Sequence, residues 1–80
     1  MKIYDYAGKK NISGERIREA RTRLHLTQTN LAVQRKLLGD DVERDSISRI
    51  EIGTRFVTDY EIRELSKILK VTPTWLLGME

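Results

Sequence analysis

The sequence predicts an all-α fold, a compact bundle of five helices in one small domain. Through most of the 80 residues, apolar side chains recur every three or four positions, which places them along one side of a helix. Residues that commonly start helices precede these segments, and glycine follows several of them. No segment alternates apolar and polar residues over the length of a strand. The helices are predicted near residues 14–24, 28–38, 44–52, 59–69 and 73–77.

The first helix is expected to begin after Ser13, which is a suitable N-cap, and to end near Leu24. Glu15 lies in its first turn, where a negative charge interacts favourably with the helix dipole. Ile17, Ala20 and Leu24 form one apolar stripe, so this side of the helix should face the core. The residues expected on the outer side are Arg16, Arg18 and Arg23.

The second helix is expected to start with Thr27 as its N-cap. Leu26, just before the cap, is placed to pack onto Leu31 one turn into the helix. The buried side should include Leu31 and Leu38. The segment Gly39–Asp41 then breaks the helix.

The third helix has an apolar back and a polar front. Ile47 and Ile50 are three residues apart and share one side, while small polar and arginine side chains occupy the other. A helix of this kind suits the major groove of DNA, which is wide enough to admit it. Val42 is expected to anchor the preceding turn in the core, and Gly53 to end the helix. The candidates for its N-cap are Glu43, Asp41 and Asp45.

The last two helices carry clear start signals. Thr58 and Glu61 have the spacing of a capping box, in which each side chain accepts a hydrogen bond from the other residue's backbone. Thr72 is expected to cap the fifth helix, with Pro73 at its first position and Gly78 after its end. The apolar stripe expected along the fourth helix is Ile62, Leu65, Ile68 and Leu69.

Several of these segments together resemble the phage-repressor and Cro-type helix-turn-helix family of DNA-binding proteins. The matching residues are Leu26–Gln28, Leu31–Ala32, Ile47–Glu51 and Gly53, and the resemblance covers residues 12–78. The connection between the two motif helices is longer than in the shortest members, so the resemblance is to a long-turn variant. It implies a lambda-repressor-like domain at residues 12–80.

The resemblance also implies which residues contact DNA. Arg49 and Asp45 match base-facing positions, where arginine can grip guanine and aspartate can accept from the cytosine amino group. Gln28 matches a glutamine that touches a phosphate or base while braced against the third helix; alternatively, it only bonds the start of its own helix. Arg55 matches a phosphate-contacting position. A solvated surface is the alternative for the full set, which is Thr27, Gln28, Arg44, Asp45, Ser46, Ser48, Arg49, Thr54 and Arg55.

Arg21 and Glu51 match a pair that links the first helix to the third in phage repressors. Both would lie on sides that lean inward. A partly buried pair of this kind sets geometry more than it adds stability. We therefore expect a structural ion pair at these positions rather than contact with DNA.

Composition excludes several classes of protein. There is no cysteine, so neither a disulfide nor a cysteine zinc site can form, and a single histidine makes a histidine metal site improbable. No apolar run is long enough to span a bilayer, and no signal peptide is visible, so a cytoplasmic location is expected. No catalytic constellation or phosphate-binding loop can be assembled. We expect neither an enzyme nor a bound cofactor.

Charge is distributed unevenly along the chain. Residues 1–36 contain nine Lys and Arg against three acidic residues, whereas residues 37–80 contain six against nine. A basic half suits a polyanionic partner such as double-stranded DNA, although a solvated surface has the same composition. Residues 1–11 show no helical period and are expected to form a flexible N-terminal arm.

These expectations favour a sequence-specific DNA-binding transcriptional regulator, with repression as its expected action. One helix gives a small footprint, so a homodimer is expected, with contacts near Trp75–Met79. The alternative is a protein-interaction module of the same fold, such as an antitoxin or anti-repressor. The residues that favour this alternative are the acids Asp40, Asp41, Glu43 and Asp45 beside the third helix.

Overall fold

A computed structural model describes residues 6–80 and contains five helices joined by short connections. No strand is present in this part of the chain, where one isolated backbone bridge joins Tyr6 and Lys9. The all-helical prediction is confirmed, and each helix agrees with its predicted range to within one residue. The helices are α1 (Gly14–Arg23), α2 (Gln28–Leu37), α3 (Arg44–Ile52), α4 (Asp59–Leu69) and α5 (Pro73–Leu76).

The core lies where the apolar sides of all five helices meet. α3 packs against α1 and α2, while α4 packs against α1, α2 and α5. Each fully buried leucine or isoleucine contributes about 1.5–3 kcal/mol from the removal of its surface from water. α3 therefore cannot rotate about its axis without exposing its apolar back. The buried apolar residues at this junction are Ile17, Ala20, Leu31, Ala32, Ile47, Ile50, Ile62, Leu65, Leu69 and Leu76.

Three helix starts are capped as predicted. Thr27 accepts a hydrogen bond from the backbone N–H of Asn30, whose side chain accepts one from Thr27 in return. Thr58 and Glu61 form the same reciprocal arrangement at α4. Thr72 accepts from the backbone of Trp75 at α5. These bonds satisfy backbone donors that the first turn of each helix leaves free.

The prediction that Ser13 caps α1 with its side chain is wrong. Ser13 already has helical backbone angles, φ −101° and ψ −10°, and its side chain makes no capping hydrogen bond. Instead the side-chain oxygen of Asn11 accepts from the backbone N–H of Gly14 at 2.8 Å. α3 has no side-chain cap at all, because Glu43 is its N-cap residue and makes no such bond.

A close backbone contact joins the start of α1 to the end of α3. A Cβ atom built on Gly14 would lie 2.2 Å from the carbonyl oxygen of Ile50, well inside van der Waals contact. Only glycine allows the two helices to approach this closely. Gly53 ends α3 in the left-handed conformation, φ 99°, as predicted.

The end of α2 differs from the prediction in its buried side. Val42 is buried, as predicted, but Leu38 is 54% exposed. α2 ends at Leu37, so Leu38 is already outside the helix and does not continue its buried apolar stripe. The buried position at this end belongs to Arg35, whose side chain is 1% exposed.

Residues 6–11 differ from the free arm that we expected. The backbone N–H of Lys10 donates to the carbonyl of Gly53 at 2.7 Å. The side-chain amide of Asn11 donates to the carbonyls of Ile50 and Arg55. These bonds hold the segment against the end of α3, so the folded domain begins before residue 12. The rest of the expected arm, residues 1–5, lies outside the described residues.

None of the helices within residues 6–80 combines the length and the apolar character that crossing a bilayer requires.

Candidate nucleic-acid interface

The outer side of α3 presents polar and charged groups to solvent. Ile47 and Ile50 point into the core, and Glu51 is also buried. Arg44, Asp45 and Arg49 are exposed, while Ser46 and Ser48 are half-buried. This division has the period of a helix, so the polar groups lie along one side of α3. The side that we predicted to face bases is therefore accessible.

Arg44 and Arg49 retain their full hydrogen-bonding capacity. Within residues 6–80, neither guanidinium makes an ion pair or a side-chain hydrogen bond. Asp45 lies one turn before Arg49, at the spacing that allows an ion pair along a helix, yet the two do not pair. Two unpaired arginines on one exposed helix can bind an anion or a base edge in two-pronged geometry.

The start of α2 is tied to α3 through a buried carboxylate. The side-chain nitrogen of Gln28 donates to Oε1 of Glu51 at 3.1 Å. Because a carboxylate only accepts hydrogen bonds, the amide nitrogen of Gln28 must face Glu51. The amide oxygen of Gln28 is then left to accept from a donor elsewhere. The predicted bracing of this glutamine against the third helix is present in the structure.

Glu51 is itself fixed by Arg21 of α1. The guanidinium of Arg21 donates from Nε to Oε2 at 2.6 Å and from Nη2 to Oε1 at 3.0 Å. Its remaining nitrogen, Nη1, donates to the carbonyl of Leu26 just before α2. This pair links α1, α2 and α3 in one network, and it is the structural ion pair that the sequence predicted.

The two threonines in the predicted set both make hydrogen bonds within their own segment of the chain. Thr27 accepts the capping bond of α2 through its oxygen and keeps its O–H to donate. Thr54 is exposed just after α3, and its hydroxyl donates to the carbonyl of Arg49 at 3.4 Å. Thr54 therefore lies at the end of α3, and Thr27 lies at the start of α2 next to Gln28.

Arg55, the predicted phosphate contact, bonds to Glu61 of α4. Its Nη1 donates to Oε1 of Glu61 at 3.3 Å and its Nη2 to Oε2 at 3.2 Å. Nη1 also donates to the carbonyl of Phe56. The guanidinium thus bonds α4 and fixes the loop after α3, while the Arg55 side chain remains 31% exposed.

A buried ion pair between Arg35 and Glu61 was not predicted. The two side chains are 1% and 2% exposed, and Nη2 of Arg35 lies 2.7 Å from Oε2 of Glu61. Burial alone raises the pKa of Glu61. Hydrogen bonds from the Thr58 backbone and from Arg35 and Arg55 outweigh burial and lower that pKa to about 2. The sequence did contain a signal, because Arg35 lies one turn after Leu31 on the apolar side of α2.

The acidic residues near α3 fall into two groups. Asp41, Glu43 and Asp45 are exposed, and Glu43 lies 3.5 Å from the ammonium of Lys36. Asp40 is half-buried and turns inward, toward Arg35. Three acids therefore remain on the outer surface beside the unpaired arginines, and they would oppose non-selective attraction to a polyanion.

Comparison with known proteins identified no matching family model, no similar curated protein and no similar solved structure.

Proposed function

We propose that this protein is a sequence-specific DNA-binding transcriptional regulator of the phage-repressor and Cro type. In this proposal α2 and α3 form the helix-turn-helix of a lambda-repressor-like domain, and α3 enters the major groove. The observation that carries the proposal is the placement of α3. Its apolar back is buried, its exposed side carries unpaired Arg44 and Arg49, and Glu51 braces Gln28 beside it.

Each group on this surface has a suitable partner on DNA. Arg49 and Arg44 can bind guanine O6 and N7 or a phosphate, and Asp45 can accept from a cytosine amino group. Ser46 and Ser48, whose side chains are shorter, can form hydrogen bonds to base edges or to the sugar-phosphate backbone of DNA where α3 lies closest to it. Thr27 at the start of α2 and Thr54 after the end of α3 can donate to phosphate oxygens. Arg55, which is bonded to Glu61 but 31% exposed, would contact a phosphate oxygen from the same loop as Thr54.

A homodimer is part of the proposal, because a single α3 gives a small footprint for specific binding. Two copies would place their recognition helices about 34 Å apart, one helical turn of DNA. Met79 is 73% exposed and Leu76 is fully buried, so the C-terminal contact would use the rim of the region Trp75–Met79. We propose repression as the action, since a domain that occupies promoter DNA blocks other proteins without a further contact. Such a regulator would work in the cytoplasm without a cofactor or a catalytic step.

Selection of bound sequences from a random DNA pool tests the proposal directly. We expect a short, roughly palindromic consensus, and a steep loss of affinity with rising salt on mixed-sequence DNA. Recovery of unenriched sequences, together with salt-independent binding, would overturn it.

The second candidate is a protein-interaction module, as in an antitoxin or anti-repressor. The observations that favour it are the exposed acids Asp41, Glu43 and Asp45 and, four residues before Asp41 in the sequence, the 81% exposed side chain of Leu37. The phosphates of DNA repel these acidic side chains, whereas a basic protein surface would attract them. The salt titration separates the candidates, because a module without DNA affinity shows no salt-dependent DNA binding.

A further inference from the structure

One buried guanidinium faces three carboxylates behind α3. Nη2 of Arg35 lies 2.7 Å from Glu61, 3.6 Å from Asp40 and 3.8 Å from Glu64. Arg35 comes from α2, Asp40 from the turn between α2 and α3, and both glutamates from α4. Arg55, in the loop after α3, joins the cluster through Glu61. We call these five residues the Arg35 cluster.

The cluster holds both connections that flank α3. Before α3, the backbone N–H of Asp40 donates to the carbonyl of Arg35 at 3.1 Å, and the side chain of Asp40 turns toward the same arginine. After α3, the guanidinium of Arg55 grips Glu61 with two hydrogen bonds. Arg35 and Glu61 are therefore positioned to fix the angle of α3 although neither residue lies on its exposed side.

Two carboxylate oxygens in the cluster are sealed from water without a hydrogen bond. They are Oδ2 of Asp40 and Oε1 of Glu64, and neither has a hydrogen-bonding partner within residues 6–80. Both oxygens lie near the same Arg35 nitrogen, beyond hydrogen-bonding range. Two ionised carboxylates can only accept, so they cannot bond to each other. One added proton would turn either carboxyl group into the donor that the other lacks.

The charges around Glu64 favour this proton. A hydrogen bond to Asp40, which only the protonated Glu64 can donate, raises the pKa of Glu64, and burial and the negative charges of Asp40 and Glu61 raise it further. The positive charge of Arg35 opposes this increase without cancelling it. A carboxyl group whose pKa is raised by folding stabilises the folded chain below its unfolded pKa. That stability is lost as pH rises through the folded pKa.

We infer that the Arg35 cluster positions α3 and responds to a proton. When Glu64 is protonated and donates to Asp40, the turn before α3 is held, and when Glu64 loses its proton, the turn is released. Loss of the proton leaves three negative charges around one buried guanidinium. Asp40 lies in the turn between α2 and α3 and not in a helix, so it is the group that can move away. Because α3 follows this turn, its placement changes with the charge. Under the proposed function, DNA affinity would then fall as the proton is lost.

The test compares three forms of the full chain in a His25→Asn background, which removes the single histidine as a source of pH-dependent changes. Asparagine suits this position, where φ is 58°. The forms are the parent, Glu64→Gln and Glu43→Gln. Glutamine at 64 cannot titrate, but its amide can donate to Asp40 as the protonated acid would. Glu43→Gln is the matched control, since it removes an acid from the same turn without touching the cluster.

Two quantities are measured across the pH range: the backbone amide chemical shifts of residues 39–53 without DNA, and the affinity for a DNA duplex at constant salt. In the parent and in Glu43→Gln, we expect the α3 amides to shift with one common midpoint, which matches the carboxyl carbon titration of Glu64. Affinity should fall at least about fivefold across that midpoint. In Glu64→Gln both changes should be absent, with affinity held near the parent's low-pH value.

Persistence of the α3 shifts in Glu64→Gln would overturn the inference, as would shifts confined to residues next to Asp40 and Glu64. If no form binds DNA at any pH, the proposed function fails, while the amide shifts still decide whether the cluster positions α3. If DNA binds with the same affinity at every pH while the parent's α3 amides do not shift, the inference fails and the proposed function stands.

Discussion

The guanidinium of Arg21 and the carboxylate of Glu51 form a two-pronged ion pair, with N–O distances of 2.6 and 3.0 Å, between α1 and the end of α3. The two side chains are 11% and 4% exposed, so water contributes little to their solvation. Arg21 also bonds the carbonyl before α2, and Glu51 also accepts from Gln28. One buried pair thus sets how three helices meet, which is the geometry on which the proposed interface depends.

Glu51→Gln should lower the free energy of unfolding by about 3 kcal/mol or more, because the buried charge of Arg21 loses its counterion. Urea unfolding followed by circular dichroism measures this. Glu15→Gln is the matched control, since it breaks the exposed Lys9–Glu15 pair and should cost at most about 1 kcal/mol. Equal costs for the two substitutions would mean that the Arg21–Glu51 pair does not hold the helices together.

Gly14→Ala should destabilise the fold by about 1–3 kcal/mol, because the added methyl group overlaps the carbonyl oxygen of Ile50 and the two helices must separate. Thermal unfolding gives the change. Arg18→Ala, at an exposed position on the same helix, should stay within roughly 0.5 kcal/mol of the parent. A Gly14→Ala protein as stable as the parent would rule out the close contact between α1 and α3.

Arg49→Ala should weaken DNA binding by about 1–3 kcal/mol and relax the preference at one base position, because a two-pronged arginine contact discriminates one base pair. Selection from a random pool with the parent and the variant reveals the change. Arg63→Ala, exposed on α4 away from the proposed interface, should leave the preferred sequence unaltered. An unchanged consensus with Arg49→Ala would exclude α3 as the reading element.

Asp45→Asn should strengthen binding to random DNA and broaden the preferred site. The acid repels the phosphates and accepts only from a donor such as the cytosine amino group, whereas asparagine can pair with several bases. Stability should hardly change, because Asp45 makes no capping bond. Binding titrations against random and selected duplexes measure both effects. Identical curves for the two forms would remove Asp45 from the interface.

Acid should unfold the protein partly through Glu61. Folding lowers the pKa of this group to about 2, so its contribution is present above its unfolded value near 4.5 and is lost as pH falls toward 2. The linked free energy is on the order of 3 kcal/mol, since each pKa unit corresponds to about 1.4 kcal/mol. Urea unfolding at several pH values should show the free energy of unfolding of the parent falling as pH drops from about 4.5 to 2. This decrease should be smaller by the contribution of Glu61 in the Glu61→Gln protein. An equal decrease in the two proteins would show that Glu61 is not held ionised by Arg35 and Arg55.

Local patterns were enough to predict the helices. The Thr27, Thr58 and Thr72 caps bond to residues three positions away, so both partners lie in one short segment. Burial of Ile47 and Ile50 follows from their spacing alone. The Ser13 prediction failed although it was equally local. There the deciding bond came from Asn11, whose side chain is fixed by carbonyls of residues 50 and 55.

In the candidate site, too, some positions were predicted from the sequence and others were not. The exposed positions of Arg44, Asp45 and Arg49 follow from helical period, and the resemblance to a family placed Arg21 opposite Glu51. The bonds of Arg55 to Glu61 were missed although the two residues lie six positions apart, because the sequence does not show whether this side chain folds back along its loop or extends outward.

The sequence by itself determined the five helices, their starts and the polar side of α3, because hydrogen bonds and periodicity within a dozen residues decide them. Only the tertiary structure decided that Arg35 is buried, that Asp40 turns inward and that Lys10 and Asn11 bind the end of α3. The physical reason is the cost of burying charges and peptide groups. A guanidinium or a carboxylate enters the interior only if a distant segment delivers its counterion or hydrogen-bonding partner there.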